Sequence, residues 1–265
     1  MRLFDAHNHV QDDRLFPSIR DVMDRARDAG VEEMGVKGCC EADWPRIIEL
    51  SNSYAGVHAA FGLHPWFIAG RSPLWLETLE GLLLSHPQAG VGEIGIDHAI
   101  ERDDADQERV FLDQLDLARK LKRPVSIHCR RAWGRLIELL DQIGDLPRGM
   151  LIHCFGGSPE TALELVRRGA YISFSGSITR PNNRKAGPAI RAVPEDRILI
   201  ETDAPDILPC TVDDSSCLVH EGQRLNEPRY LLAVLERAAA LRGVTRTGMA
   251  ELTFRNAKHF FQMLA

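Results

Sequence analysis

The sequence predicts an α/β protein, a (β/α)8 TIM barrel, and three observations carry that expectation. Short apolar runs recur eight times, and each is followed by a helical pattern. No glycine-rich phosphate loop follows the first run, "FDAHNHVQDD", where a doubly wound open sheet would place one. The runs are "RLFDAH" at 2, "VEEMGVKG" at 31, "VHAAFGLH" at 57, "AGVGEIG" at 89, "PVSIHC" at 124, "GMLIHCF" at 149, "AYISFSG" at 170 and "RILIETD" at 197. Strand followed by helix, repeated, requires parallel strands joined by crossover helices. Eight such units close most naturally into a barrel, for which about 250 residues in one unit is usual. The chain of 265 residues is therefore expected to form a single domain over 1–265.

The helical segments are equally explicit. In "QERVFLDQLDLARKLK", residues 107 to 122, Phe111, Leu115, Ala118 and Lys122 fall on one face, flanked by Val110, Leu117 and Leu121. "SPETALELVRRG" has Ser158 as N-cap, Pro159 at the first helical position, Glu160 in the first turn and Gly169 as the stop. "PRYLLAVLERAAALRG" and "GMAELTFRNAKHFFQML" are the last helices, expected to close the barrel wall.

Composition excludes several classes. At 44% hydrophobic and 26% charged, the chain has the balance of a globular enzyme. A net charge of -6 rules out a global positive field, so any polyanion must be held by a local site. Residue 1 leads directly into a strand-like run and no apolar stretch is long enough to cross a bilayer, so a cytoplasmic protein without a membrane partner is expected. The six cysteines, at 39, 40, 129, 154, 210 and 217, form no CxxC pair and read as reduced thiols.

Chemistry in a parallel barrel sits at the C-terminal ends of the strands. There this sequence collects its polar residues: His7 and His9 on the first strand, His64 on the third, Glu93 on the fourth, His128 on the fifth, His153 on the sixth and Asp203 on the eighth. Side chains alternate with period two along a strand, so His7 and His9 share a face. A lone histidine at a strand end is commonly a hydrogen-bonded structural residue. His7, His9, His128 and His153 with Glu93 and Asp203, facing one mouth, however, form a partly buried cluster that a cation stabilises. Imidazole with carboxylate suits Zn, Mn, Fe or Co, and a bridging carboxylate also admits Mg. Six protein ligands exceed what one open catalytic ion needs, so two divalent ions (Mg, Mn or Zn) sharing Glu93 fit better, and the chemistry implied is hydrolysis.

In order along the chain, "DAHNH", "GLHPW" at 62, "GEIGID" at 92, "PVSIHCR" at 124, "IHCFGG" at 152, "ISFSGSITR" at 172, "ETDAP" at 201 and "FRNAKHFF" resemble the TatD family of metal-dependent deoxyribonucleases, within the amidohydrolase superfamily. The resemblance implies that His7, His9, Glu93 and Asp203 hold one ion, and that Glu93, His128 and His153 hold the other. It implies Glu93 and Asp203 as the catalytic carboxylates, with Asp203 as base or proton shuttle. His64 and Arg130 match positions that contact the scissile phosphate, and Glu201 matches a residue that orients a ligand; on general grounds Glu201 reads equally as a buried carboxylate satisfied by backbone donors. The departures are local to the site: "HNHVQDD" where HxHLD is frequent, Arg131 where an acid is usual, and Gly157 in place of serine. They leave the ligand set intact and bear on substrate preference.

The expected activity is a phosphodiesterase cleaving DNA, acting as a monomer or small homo-oligomer with no obligatory protein partner. A second reading keeps the metals but takes a small ester, lactone or amide, and a third makes the metals structural in a silent scaffold. Arg180, Arg184, Lys185 and Arg191 follow the seventh strand and form either a strip for nucleic-acid backbone or a solvated helix face.

Overall fold

The structure is a computed structural model that describes residues 1–101 and 103–261. All eight expected strands form: β1 (Leu3–Asn8), β2 (Val31–Lys37), β3 (Val57–Phe61), β4 (Gly90–Asp97), β5 (Val125–Arg130), β6 (Met150–Ile152), β7 (Ala170–Phe174) and β8 (Ile198–Ile200). They make one parallel sheet in sequential order. Its two edges are stitched past the end of β8, where the His9 amide donates to the Ala204 carbonyl (2.7 Å) and the Asp203 amide to the His7 carbonyl (3.0 Å). The sheet is thus a (β/α)8 barrel. β1 and β4 are buried along their whole length because helices cover one face and the barrel interior fills the other.

Nine helices accompany the strands among the described residues: α1 (Ile19–Asp28), α2 (Trp44–Ser53), α3 (Trp75–Ser85), α4 (Asp104–Leu121), α5 (Trp133–Ile143), α6 (Pro159–Arg167), α7 (Ala186–Ala192), α8 (Leu231–Arg242) and α9 (Arg246–Phe261). The expected caps of α6 are present, with Ser158 Oγ accepting from the Thr161 amide and Gly169 at φ +85°. In α4, Phe111, Leu115 and Ala118 are buried as their spacing requires. Lys122 departs from that face. It is exposed and left-handed at φ 53°, the residue that ends the helix. The final expected helix continues to residue 264 in the sequence pattern, and positions 262–264 lie outside the described residues.

The barrel floor, opposite the strand C-termini, is filled by an aromatic cluster. Phe254, Phe260 and Phe261 of α9 pack with Phe4, Ala6, Leu151, Tyr171 and Leu199. Phe4 stacks on Phe261 with centroids 4.8 Å apart. The first strand and α9 meet here, so α9 seals the barrel that the first strand opens.

Candidate metal centre

Local backbone decides which side chains enter the mouth. Ala6 belongs to the inner floor cluster, yet the next residue, His7, also reaches inward to Ser126 and Glu93. Strict alternation forbids two consecutive inward residues; a register irregularity of β1 against β2 between Asp5 and Asn8 permits it. Asp5 fastens this segment from its other side, accepting from the Thr202 amide (2.8 Å), the Thr202 hydroxyl and Asn8 Nδ2 (3.0 Å). Burial pushes the Asp5 carboxyl up to about 7 against those donors.

Glu93, inside β4 and buried, is the hub of the site. Its Oε1 lies 2.8 Å from His153 Nε2, 3.1 Å from His128 Nδ1 and 3.3 Å from His64 Nε2. Its Oε2 lies 3.0 Å from His9 Nε2 and 3.1 Å from His7 Nε2. Asp203 Oδ1 borders the same space, 3.6 Å from His9 Nε2, 3.8 Å from His7 Nε2 and 3.9 Å from His153 Nδ1. Burial alone would raise the pKa of Glu93, but His153, His64 and His7 around it hold it well below the ordinary range.

Three of these imidazoles are hydrogen-bonded from behind, and a fourth, His153, faces a carboxylate there. His7 Nδ1 meets Ser126 Oγ at 3.0 Å, and His9 Nδ1 meets the Lys37 carbonyl at 2.8 Å. His128 Nε2 meets Asp97 Oδ2 at 3.3 Å, and His153 Nδ1 faces Glu201 Oε1 at 3.5 Å. A carbonyl or carboxylate can only accept, so His9 places its proton on Nδ1 and His128 on Nε2. Each then turns its other nitrogen toward Glu93, a lone pair when the ring is neutral; burial lowers the pKa of both rings but is outweighed, by Cys39 and Glu93 at His9 and by Asp97 and Glu93 at His128, so without metal a proton is favoured there. His7 and His9 Nε2 are 3.2 Å apart, as are His128 Nδ1 and His153 Nε2. Lone pairs converging on a carboxylate repel it unless a cation or proton lies among them, so the donor set and its outer anchors fit a metal site. Three overlapping groups have ligand atoms within 4.8 Å of one another: His7, His153 and Asp203; His7, His9 and Glu93; His64, Glu93 and His128.

His64 differs from the other four. Its Nδ1 accepts from the Trp66 amide at 3.1 Å, capping the short 3-10 turn Pro65–Gly70. An amide can only donate, so the His64 proton sits on Nε2 and points at Glu93 Oε1. His64 therefore presents a donor from a neutral ring, and its inner nitrogen has no lone pair to offer a cation. Burial lowers its pKa to about 4, keeping it neutral near pH 7. Burial also raises the Asp203 carboxyl, to about 6, against the pull of His153 and His9. On His153 burial works the other way but is outweighed by Glu93, Glu201 and Asp203, and its pKa stands well above the usual value.

Every expected ligand position, with His64, comes to this cluster. Glu201 lies behind it, buried, with Oε1 accepting from the Cys154 amide at 2.5 Å and facing His153 Nδ1 at 3.5 Å, while its Oε2 meets no hydrogen-bond donor among the described residues. Arg130 is not drawn in: it is exposed at the end of β5, opposite Asp97 in register. Arg180, Arg184 and Lys185 are also exposed, while Arg191 of α7 donates to the Leu241 carbonyl (3.0 Å) on the outer helical wall, away from a backbone-binding strip. Asp97 is the functional residue that sequence reasoning passed over. It stands four positions after Glu93, on the same face of β4, as the last letter of "GEIGID". All six cysteines are free thiols.

The sequence profile described as TatD related DNase matches residues 4–262. The chain belongs to the TatD related DNase family. It is 32% identical to the uncharacterized metal-dependent hydrolase YabD of Bacillus subtilis, over 98% of this chain and 99% of that protein. It is 31% identical to the 3'-5' ssDNA/RNA exonuclease TatD of Salmonella typhimurium, over 99% of this chain and 100% of the relative. Among solved structures, YjjV, a TatD homolog from Escherichia coli, superposes with a TM-score of 0.88 at 30% identity, covering 99% of this chain and 98% of the other. As a TatD-family protein the chain is a metal-dependent hydrolase. No described helix is long and apolar enough to cross a membrane.

Proposed function

We propose that this TatD-family hydrolase cleaves phosphodiester bonds of single-stranded nucleic acid, DNA foremost, through two divalent ions, Mg, Mn or Zn. The observation that carries the metal centre is the imidazole ring around Glu93, whose outer nitrogens are tied to the wall while the inner ones face a single carboxylate. His7, His9, Glu93 and Asp203 would hold one ion and Glu93, His128 and His153 the other. When bound, such ions acidify water and neutralise charge developing on phosphate. Asp203, whose pKa burial raises to about 6, accepts and returns a proton near neutral pH. Glu201 and Asp97 keep His153 and His128 turned inward. His64 offers an Nε2 proton, and Arg130 a guanidinium at the rim, to phosphate oxygens. The names of the exonuclease relatives support the nucleic-acid substrate, and so do the exposed Arg130, Arg131, Arg180, Arg184 and Lys185 in the loops after β5 and β7. In this reading residues 1–265 act as one domain in the cytoplasm, as a monomer or small homo-oligomer.

Metal-stripped protein reloaded with Mg, Mn or Zn should cleave labelled single-stranded DNA. Asp203→Asn should fall by at least about 10²-fold in turnover, the usual effect of losing an acid/base group, while remaining folded. Arg130→Ala should lose far more on DNA than on a neutral ester, because its contact is made only to an anion. Equal losses on both substrates with metal retained would remove the phosphate role and favour the small-ester reading.

A further inference from the structure

Trp66 and Phe67 are 46% and 43% exposed, the only aromatic side chains among the large exposed hydrophobics of the described residues. They are consecutive, and both rings neighbour the same imidazole. Trp66 meets His64 edge to face at a centroid distance of 5.2 Å, and Phe67 lies 6.2 Å from it. Trp66 is also 6.5 Å from the His128 ring. Its indole does not swing freely: Nε1 donates to Asp97 Oδ2 at 2.8 Å, the same oxygen that meets His128 Nε2 at 3.3 Å. A large apolar ring fixed at the rim of a polar site and left half in water is poised to bury against a ligand.

Resting on the phosphodiesterase reading above, we propose that Trp66 is a specificity-determining residue, the platform on which the nucleobase beside the scissile phosphate stacks. In that reading His64 meets a phosphate oxygen, and a base is joined to its phosphate through a single sugar, so a ring next to His64 is within one nucleotide of the reacting centre. Stacking tolerates every base and requires it to be unpaired, so this contact selects single strands without selecting sequence. The bond to Asp97 sets the angle of the indole and links the platform to the residue that positions His128.

The test uses the metal-loaded full chain and two single-stranded oligonucleotides, one intact and one abasic at the nucleotide flanking the cleaved bond. Wild type should prefer the intact strand in kcat/KM by about 5- to 150-fold, the range measured for base–aromatic stacking. Trp66→Leu should erase that preference, losing about that factor more in kcat/KM on the intact strand than on the abasic one. Trp66→Phe, which keeps a ring but not the N–H, should retain most of the preference. If Trp66→Leu slows both strands by one factor, with metal content unchanged, the ring merely supports Asp97 and the platform is overturned. If wild type cleaves neither strand yet hydrolyses a neutral ester, the nuclease reading itself falls, and the platform with it.

Discussion

His64 shows how one hydrogen bond sets a residue's chemistry. The Trp66 amide claims Nδ1, so the ring must be neutral with its proton on Nε2, and burial reinforces this by lowering the pKa from 6.5 to about 4. In the metal-free protein that depression makes stability depend on pH. Between about 6.5 and 4 the unfolded chain binds a proton at this position and the folded chain does not, so stability is full above the window and is lost as pH falls through it. The loss is up to about 3.5 kcal/mol at roughly 1.4 kcal/mol per pH unit. Urea unfolding at pH 7 and pH 4.5 should show wild type weakening more than His64→Gln, which cannot titrate; parallel losses would mean that His64 does not carry the effect.

At the scale of the element, β4 supplies both the hub and one of its supports, and at Gly95 its backbone takes a conformation that leaves no room for a side chain beside β5. Gly95 has φ +149°, and a Cβ there would lie 2.0 Å from the His128 carbonyl oxygen. Gly95→Ala must therefore push β5 aside and carry His128 with it. Its melting should report a loss of more than about 1 kcal/mol. Titration should also show metal affinity down by about 10- to 100-fold, as when a ligand's support is lost. Gly134, in α5, has nothing within 4 Å of its would-be Cβ. Gly134→Ala should be neutral or stabilise by about 0.4 to 1 kcal/mol, with unchanged metal binding. An undisturbed Gly95→Ala protein would mean that the close packing at Gly95 does not govern the site.

For the whole molecule, the barrel gathers into one mouth groups that repel one another until a cation joins them. Saturating metal at about 100 times its Kd should add about 2.7 kcal/mol to stability. For a barrel of this size that raises Tm by about 5 to 10 °C, which scanning calorimetry with and without chelator would register. Loading should also release protons at pH 7, because His153 holds one strongly in the metal-free protein. Titration in buffers of different ionisation heat would count them. A Tm indifferent to chelator would sink the metal assignment.

The sequence by itself determined the eight strands, the buried face of α4 apart from Lys122, the caps of α6 and which polar side chains would gather, because each depends on residue type and spacing within one element. Residues at strand C-termini must share a mouth once the strands are parallel, so His7, His9, Glu93, His128, His153 and Asp203 were legible as a set. Only the tertiary structure decided what each ligand turns inward. The register irregularity that brings both Ala6 and His7 inside, the Lys37 carbonyl behind His9, Asp97 behind His128 and the Trp66 amide on His64 all set strand register or proton position. The Lys37 and Asp97 contacts join different strands, while the Trp66 amide lies in the turn after its own. Periodicity fixes the face along one strand; barrel closure fixes which neighbour stands opposite, and the neighbour's donor or acceptor character then fixes the tautomer.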